Sequence, residues 1–160
     1  MKKKINTTLL SILSILVLSV FTAYYIEYGL GHEPCKLCIY QRYPYFISIF
    51  LILNIMIIKK YIKLSFLILA LVSLAGSVIA FYHFGIEQGF FSESIVCETK
   101  NLGQNLSKED ILKQLNKNTI SCKTVTFRFL GLSLASINTI FSFALFVIFT
   151  MLFKNYENNK

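Results

Sequence analysis

The stretch GHEPCKLCIYQRYP places Cys35 and Cys38 at C-x-x-C spacing, with Arg42 four residues beyond Cys38. A disulfide that closes so small a loop is exchangeable, and a nearby cation or helix N-terminus favours its thiolate form. Arg42 lies one helical turn from Cys38 and is placed to stabilise a thiolate there. The plain alternative for Arg42 is a boundary arginine that snorkels to the membrane surface. Two further cysteines, Cys97 and Cys122, have 24 residues between them. That spacing lacks the second close pair of a structural zinc site, so no metal is expected. Two structural disulfides stapling loops remain the plain alternative to redox chemistry.

The elements that must hold these thiols are unusually apolar. Of 160 residues, 55% are hydrophobic, with two prolines and a mean hydropathy of +0.61, which leaves too little polar surface for a soluble domain of this size. Four apolar runs stand out, Thr7 to Tyr25, Tyr43 to Ile58, Leu64 to Tyr82 and Gly131 to Phe153. A spanning helix needs roughly 20 residues, with about 17 as the lower limit. The runs are solid rather than alternating, so they fit helices and not barrel strands. The second run is short unless it starts near Ile39, which brings Gln41 and Arg42 into its first turns; Pro44 suits either a helix starting around Tyr43 or a kink in one starting earlier. The expected fold is an all-α membrane protein, one four-helix transmembrane bundle over 1–160 with two cysteine-bearing extracytoplasmic loops. The helices are expected at 7–28, 40–58, 64–82 and 131–153, and the outer loops at 29–39 and 83–130. The first run follows Lys2, Lys3 and Lys4 as a signal peptide would, but Phe21, Tyr24 and Tyr25 fill the place of a cleavage site, so it reads as an uncleaved helix.

Charge sets the orientation. Lys2, Lys3, Lys4, Lys59, Lys60, Lys63, Lys154 and Lys160 crowd short segments flush with helix ends, whereas the other eight cations are diluted over the two longer loops. The positive-inside rule weighs short flanking loops most, so both termini are expected in the cytoplasm. Tyr24, Tyr25, Tyr28, Tyr40 and Tyr43 then mark the outer interface. The net charge of +8 is a topology signal, and no nucleic-acid partner is expected. All four cysteines fall on the outer side, where disulfides persist. A dithiol at the bilayer face can meet a lipid-soluble two-electron acceptor, for which a quinone is the natural candidate.

These residues resemble the disulfide bond formation protein B (DsbB) family of bacterial inner-membrane thiol oxidases. The matching pieces are PCKLCIYQRYPYF, FYHFGIEQGFF, Cys97 and CKTVTFRFLGLSLASIN, in order along essentially the whole chain. The resemblance implies a multi-pass inner-membrane enzyme that re-oxidises a periplasmic DsbA-type thioredoxin-fold oxidase and passes the electrons to ubiquinone or menaquinone. Carried over, Cys38 engages the quinone with Cys35 as its partner, Arg42 and His83 line the quinone site, Cys97 forms the mixed disulfide with the soluble partner, and Cys122 is its mate. The other reading of His83 is a boundary histidine paired with Glu87 at i,i+4. In the second loop, Ser107 with Asp110 resembles a capping box ahead of Ile111, Leu112 and Leu115, which predicts a short amphipathic helix. Two rivals remain. A vitamin K epoxide reductase-like enzyme would carry its C-x-x-C late in the bundle, and a non-enzymatic channel or assembly subunit would need buried acidic residues that no apolar run contains.

Overall fold

The computed structural model describes residues 2–92, 122–123, 128–129 and 131–158. Cys97 and the helix expected around 107–115 lie outside the described residues. Helix α1 (Lys2–Tyr24) continues into a π-helical turn, Tyr25–Gly29; α2 (Lys36–Tyr40) and α3 (Tyr43–Ile58) follow, then α4 (Ile62–Glu87). A two-residue antiparallel ladder, β1 (Arg128–Phe129) with β2 (Leu132–Ser133), leads into α5 (Leu134–Asn158). Among the described residues, four segments are long and apolar enough to cross a membrane: Ile5–Gly29, Lys36–Ile58, Ile62–Glu87 and Leu134–Tyr156.

Inside an apolar solvent each hydroxyl must find a partner on the protein. Ser11, Ser14, Ser19 and Thr22 of α1 each donate to the carbonyl four residues back, at 2.8–3.1 Å. Thr139 and Thr150 of α5 do the same. Helix α5 starts where Ser133 turns its hydroxyl onto the Ser136 N–H at 3.2 Å, an N-cap that satisfies one of the orphan donors of the first turn. Gly131, at φ +84°, makes the tight reversal between β1 and β2, a conformation that costs glycine little.

The second span is broken rather than continuous. Pro44 sits in the first turn of α3, where its missing N–H is no loss. Continuing α2 straight into α3 would point that proline ring at the Tyr40 carbonyl, so the chain tightens at Gln41 and Arg42, with the Arg42 N–H donating to Ile39 O at 3.0 Å. The tightened turn separates the two side chains: Gln41 is buried, and Arg42 reaches the edge of the bundle. The third span runs to Glu87 rather than ending at 82, and at its end Gly85 leaves room for the ring of Phe91 to fold back, since a Cβ there would lie 2.1 Å from it. His83 and Glu87 are therefore one turn apart on a helix.

The bundle core lies away from the cysteines. Leu9, Ile12 and Leu16 of α1 pack with Ile52 and Ile55 of α3, Phe66 and Leu69 of α4, and Leu145 and Phe149 of α5. Gly76 brings α4 close to α3, since a Cβ there would meet Pro44 Cβ at 3.2 Å. Phe21, Phe50 and Ile57 point outward with their apolar surfaces uncovered, as lipid-facing residues do.

Candidate functional site

Cys35 is the N-cap of α2. With φ −68° and ψ 166° its backbone is extended, and its Sγ accepts from the Cys38 N–H at 3.3 Å. One helical turn then stacks the sulfurs, leaving them 3.0 Å apart as free thiols in hydrogen-bond contact. The hydrogen bond from the Cys38 thiol holds the Cys35 pKa down to about 4, against burial that raises it and with His83 adding to the lowering. The charge of the reduced pair rests on Cys35.

His83 reaches this sulfur from α4. Its Nε2 is 3.5 Å from Cys35 Sγ and 3.7 Å from Glu87 Oε1, and its ring also hydrogen-bonds the backbone of Cys122. Cys122 is buried and disulfide-bonded, and its bonding partner lies outside the described residues. Its sulfur, Cys35 Sγ and a His83 ring nitrogen all lie within 4.8 Å of one another. Three such ligands could suit a metal ion, but a disulfide sulfur is no thiolate, and the set is incomplete as a zinc site while that bond stands. The Glu87 carboxylate is also covered, and its Oε2 has no hydrogen-bond partner among the described residues.

On the other side of the C-x-x-C lies a groove of about 400 Å³ between α1 and α5. Leu18 and Ala23 form one wall, Ile137 and Phe141 the other, and Cys38 and Arg42 close the end. Arg42 Nη1 donates to Glu27 Oε2 at 2.5 Å, and its guanidinium lies over the Tyr24 ring, 4.8 Å from the centroid. Glu27 is carried there by the π-helical turn. Thus Arg42 is anchored to the first span, with its charge at the groove, while His83 turns away from the groove toward Cys35 and Cys122.

A polar chain joins the two sides. The Tyr45 hydroxyl donates to Asn138 Oδ1, as does Ser142 Oγ at 3.2 Å. Asn138 Nδ2 donates to Gln41 Oε1 at 2.6 Å, and Gln41 Nε2 meets His83 Nδ1 at 3.0 Å. None of these four residues was singled out from the sequence for the site. The available signal was an amide inside an apolar span, which is costly in lipid unless partnered and so marks a functional interior.

Of the six residues expected at the site, Cys35, Cys38, His83 and Cys122 converge, Arg42 stands across the groove end, and Cys97 lies outside the described residues. The family model for disulfide bond formation protein DsbB matches residues 5–152. The chain is 29% identical over 160 residues to an uncharacterized protein of Rickettsia prowazekii (strain Madrid E), covering 99% of this chain and 91% of that one. It is 28% identical over 164 residues to the disulfide bond formation protein B of Histophilus somni (strain 129Pt), covering 98% and 92% respectively. A membrane-spanning bundle that holds a free dithiol against a second disulfide, matched by that model over nearly its whole length, belongs to the disulfide bond formation protein B family.

Proposed function

We propose that this protein is a thiol:quinone oxidoreductase of the bacterial inner membrane, which re-oxidises a periplasmic DsbA-type thioredoxin-fold oxidase and passes the electrons to membrane quinone. Family membership carries the coarser part, disulfide oxidoreductase activity in disulfide bond formation. The finer part rests on one observation: the C-x-x-C has one sulfur facing the Cys122 disulfide and the other facing an apolar groove between spans.

The groove suits a flat, apolar ring with polar oxygens. Its walls are mostly aliphatic and aromatic, and Gln41 and Arg42 line it together with Cys38. A bound quinone would supply a two-electron, two-proton acceptor. Arg42 would donate to a ring oxygen from the groove end, and the α1 and α5 walls would exclude water. Electrons enter at the other side. A soluble dithiol reduces the Cys97–Cys122 disulfide and leaves with its own disulfide closed. The Cys122 thiolate then attacks Cys35 Sγ of the oxidised first pair; the Cys35–Cys38 bond breaks and the electron pair moves to Cys38. Attack of Cys97 on Cys122 restores that disulfide and releases Cys35 as the thiolate that the Cys38 N–H and thiol are set to stabilise. Both termini lie in the cytoplasm and all four cysteines face the periplasm.

Purified protein mixed with a reduced thioredoxin-fold oxidase and a soluble ubiquinone or menaquinone analogue should convert quinone to quinol at one equivalent per disulfide formed. Dithiol oxidation without any quinol would overturn the quinone assignment.

A further inference from the structure

The chain of side chains behind the cysteines has a definite direction. Gln41 crosses from the second span to meet both Asn138 on the last and His83 on the third, and it is itself buried. Its amide offers hydrogens at Nε2 only, and Nε2 is the atom facing His83 Nδ1. Its Oε1 is occupied by the hydrogen of Asn138 Nδ2, and Asn138 Oδ1 by the hydroxyls of Tyr45 and Ser142. Each link donates toward the histidine, so Nδ1 is the acceptor. A neutral imidazole then carries its hydrogen on Nε2.

The far side of the ring asks for the same arrangement. Cys35 Sγ and Glu87 Oε1 both lie on Nε2. Cys35 already accepts from the Cys38 N–H, so it is an acceptor here. A bare Nε2 lone pair among these groups would put acceptor against acceptor in a buried site where no water can supply the missing hydrogen.

We propose that Gln41 and Asn138 are positioning residues that fix His83 as the Nε2–H tautomer, aiming that hydrogen at Cys35 Sγ where the two cysteine pairs meet. The role makes sense of a wholly side-chain chain across three spans: the amides touch no sulfur, yet they decide which ring nitrogen faces one. What the tautomer is used for rests on the thiol-exchange reading above, but the tautomer itself is observable without turnover.

The chain holds two histidines, His32 and His83, so a full-length protein labelled with ring-15N histidine gives two sets of ring signals, assigned with His32→Gln. In the reduced protein, at the alkaline end of a pH titration where the ring signals no longer move and the imidazole is neutral, His83 should show a protonated Nε2 and a bare Nδ1. Gln41→Leu removes the donor, so the signals should move toward a mixture of both tautomers. Asn138→Leu should do the same more weakly. Gln41→Glu replaces the donor by an acceptor and should bring a hydrogen to Nδ1. A wild-type ring with hydrogen on Nδ1, alone or on both nitrogens, would overturn the proposal, and this needs no variant to fold. Unchanged His83 signals in folded Gln41→Leu and Gln41→Glu would also overturn it. A protein with the expected tautomer but no quinone reduction would sink the functional reading and leave this assignment standing.

Discussion

The two ends of the bundle are built on opposite principles. Around Leu16, Ile52, Phe66, Leu69 and Phe149 the spans are held by close packing of apolar side chains. Around Cys35 and Cys122 the buried apolar cluster among the described residues is small, and neighbouring positions are filled by Gln41, His83, Glu87, Asn138 and Ser142. In lipid the first kind of contact gains little from leaving the solvent and depends on shape, whereas the second depends on each donor meeting its acceptor. Substitutions at the packed end should therefore remove molecules from the folded pool. Those at the polar end should alter the chemistry of molecules that remain folded.

The largest contrast is in the titration of one sulfur. Reduced protein should show thiolate absorbance at neutral pH that disappears as pH falls through about 4, against 9.0 for an ordinary thiol. The pKa is lowered on folding, so the stability this charge contributes is full above pH 9.0 and is lost progressively as pH falls toward about 4. Absorbance that grows in only near 9 would mean that the Cys38 thiol and His83 do not act on Cys35.

At the packed end, Phe149→Ala should destabilise the bundle by about 3 kcal/mol, the low end for such a cavity because lipid tails already solvate the free helix. Thermal unfolding in detergent measures it, and turnover per folded molecule should not change. At the groove, Arg42→Gln removes charge-assisted contacts of about 1.5–3 kcal/mol, or roughly one to two decades in the quinone step, with thiol exchange at Cys122 intact. Lysine should rescue only in part, since it lacks the planar fork that holds Glu27 and still donates into the groove. Smallest is Gly76→Ala, whose new methyl must push against Pro44 at about 3.2 Å. It should cost about 1 kcal/mol of stability, with no effect on quinone kinetics.

How much of this was legible in the sequence follows the same divide. The packed end announces itself, because solid apolar runs of spanning length leave few alternatives, and four helical segments among the described residues are long and apolar enough to cross a membrane. The C-x-x-C and the Cys122 segment were equally readable, since thiols at fixed spacing carry their chemistry with them. The second span could be read only as one of two options. The structure takes a middle course, a short helix, a tightened turn at Gln41 and Arg42, and a fresh start at Pro44. Hydropathy falls at His83, but the helix of the third span runs on to Glu87, and this extension carries a buried carboxylate that no apolar run contains. The Arg42 pairing with Glu27 depends on a π-helical turn, and the Gln41–Asn138 contact joins residues far apart in the chain. Neither leaves a periodic trace in one sequence.

The central claim is that electrons cross between the cysteine pairs at Cys35 and Cys122, whose sulfurs lie within 4.8 Å of each other and of His83. The direct measurement is a protein carrying Cys38→Ser and Cys97→Ser, which leaves these two thiols alone. Mild oxidation in membranes should join them in an intramolecular disulfide, seen by peptide mass mapping as a bond between the C-x-x-C segment and the segment entering the last span. Two thiols that stay free and alkylatable in a folded protein, or that bridge only between molecules, would contradict the account.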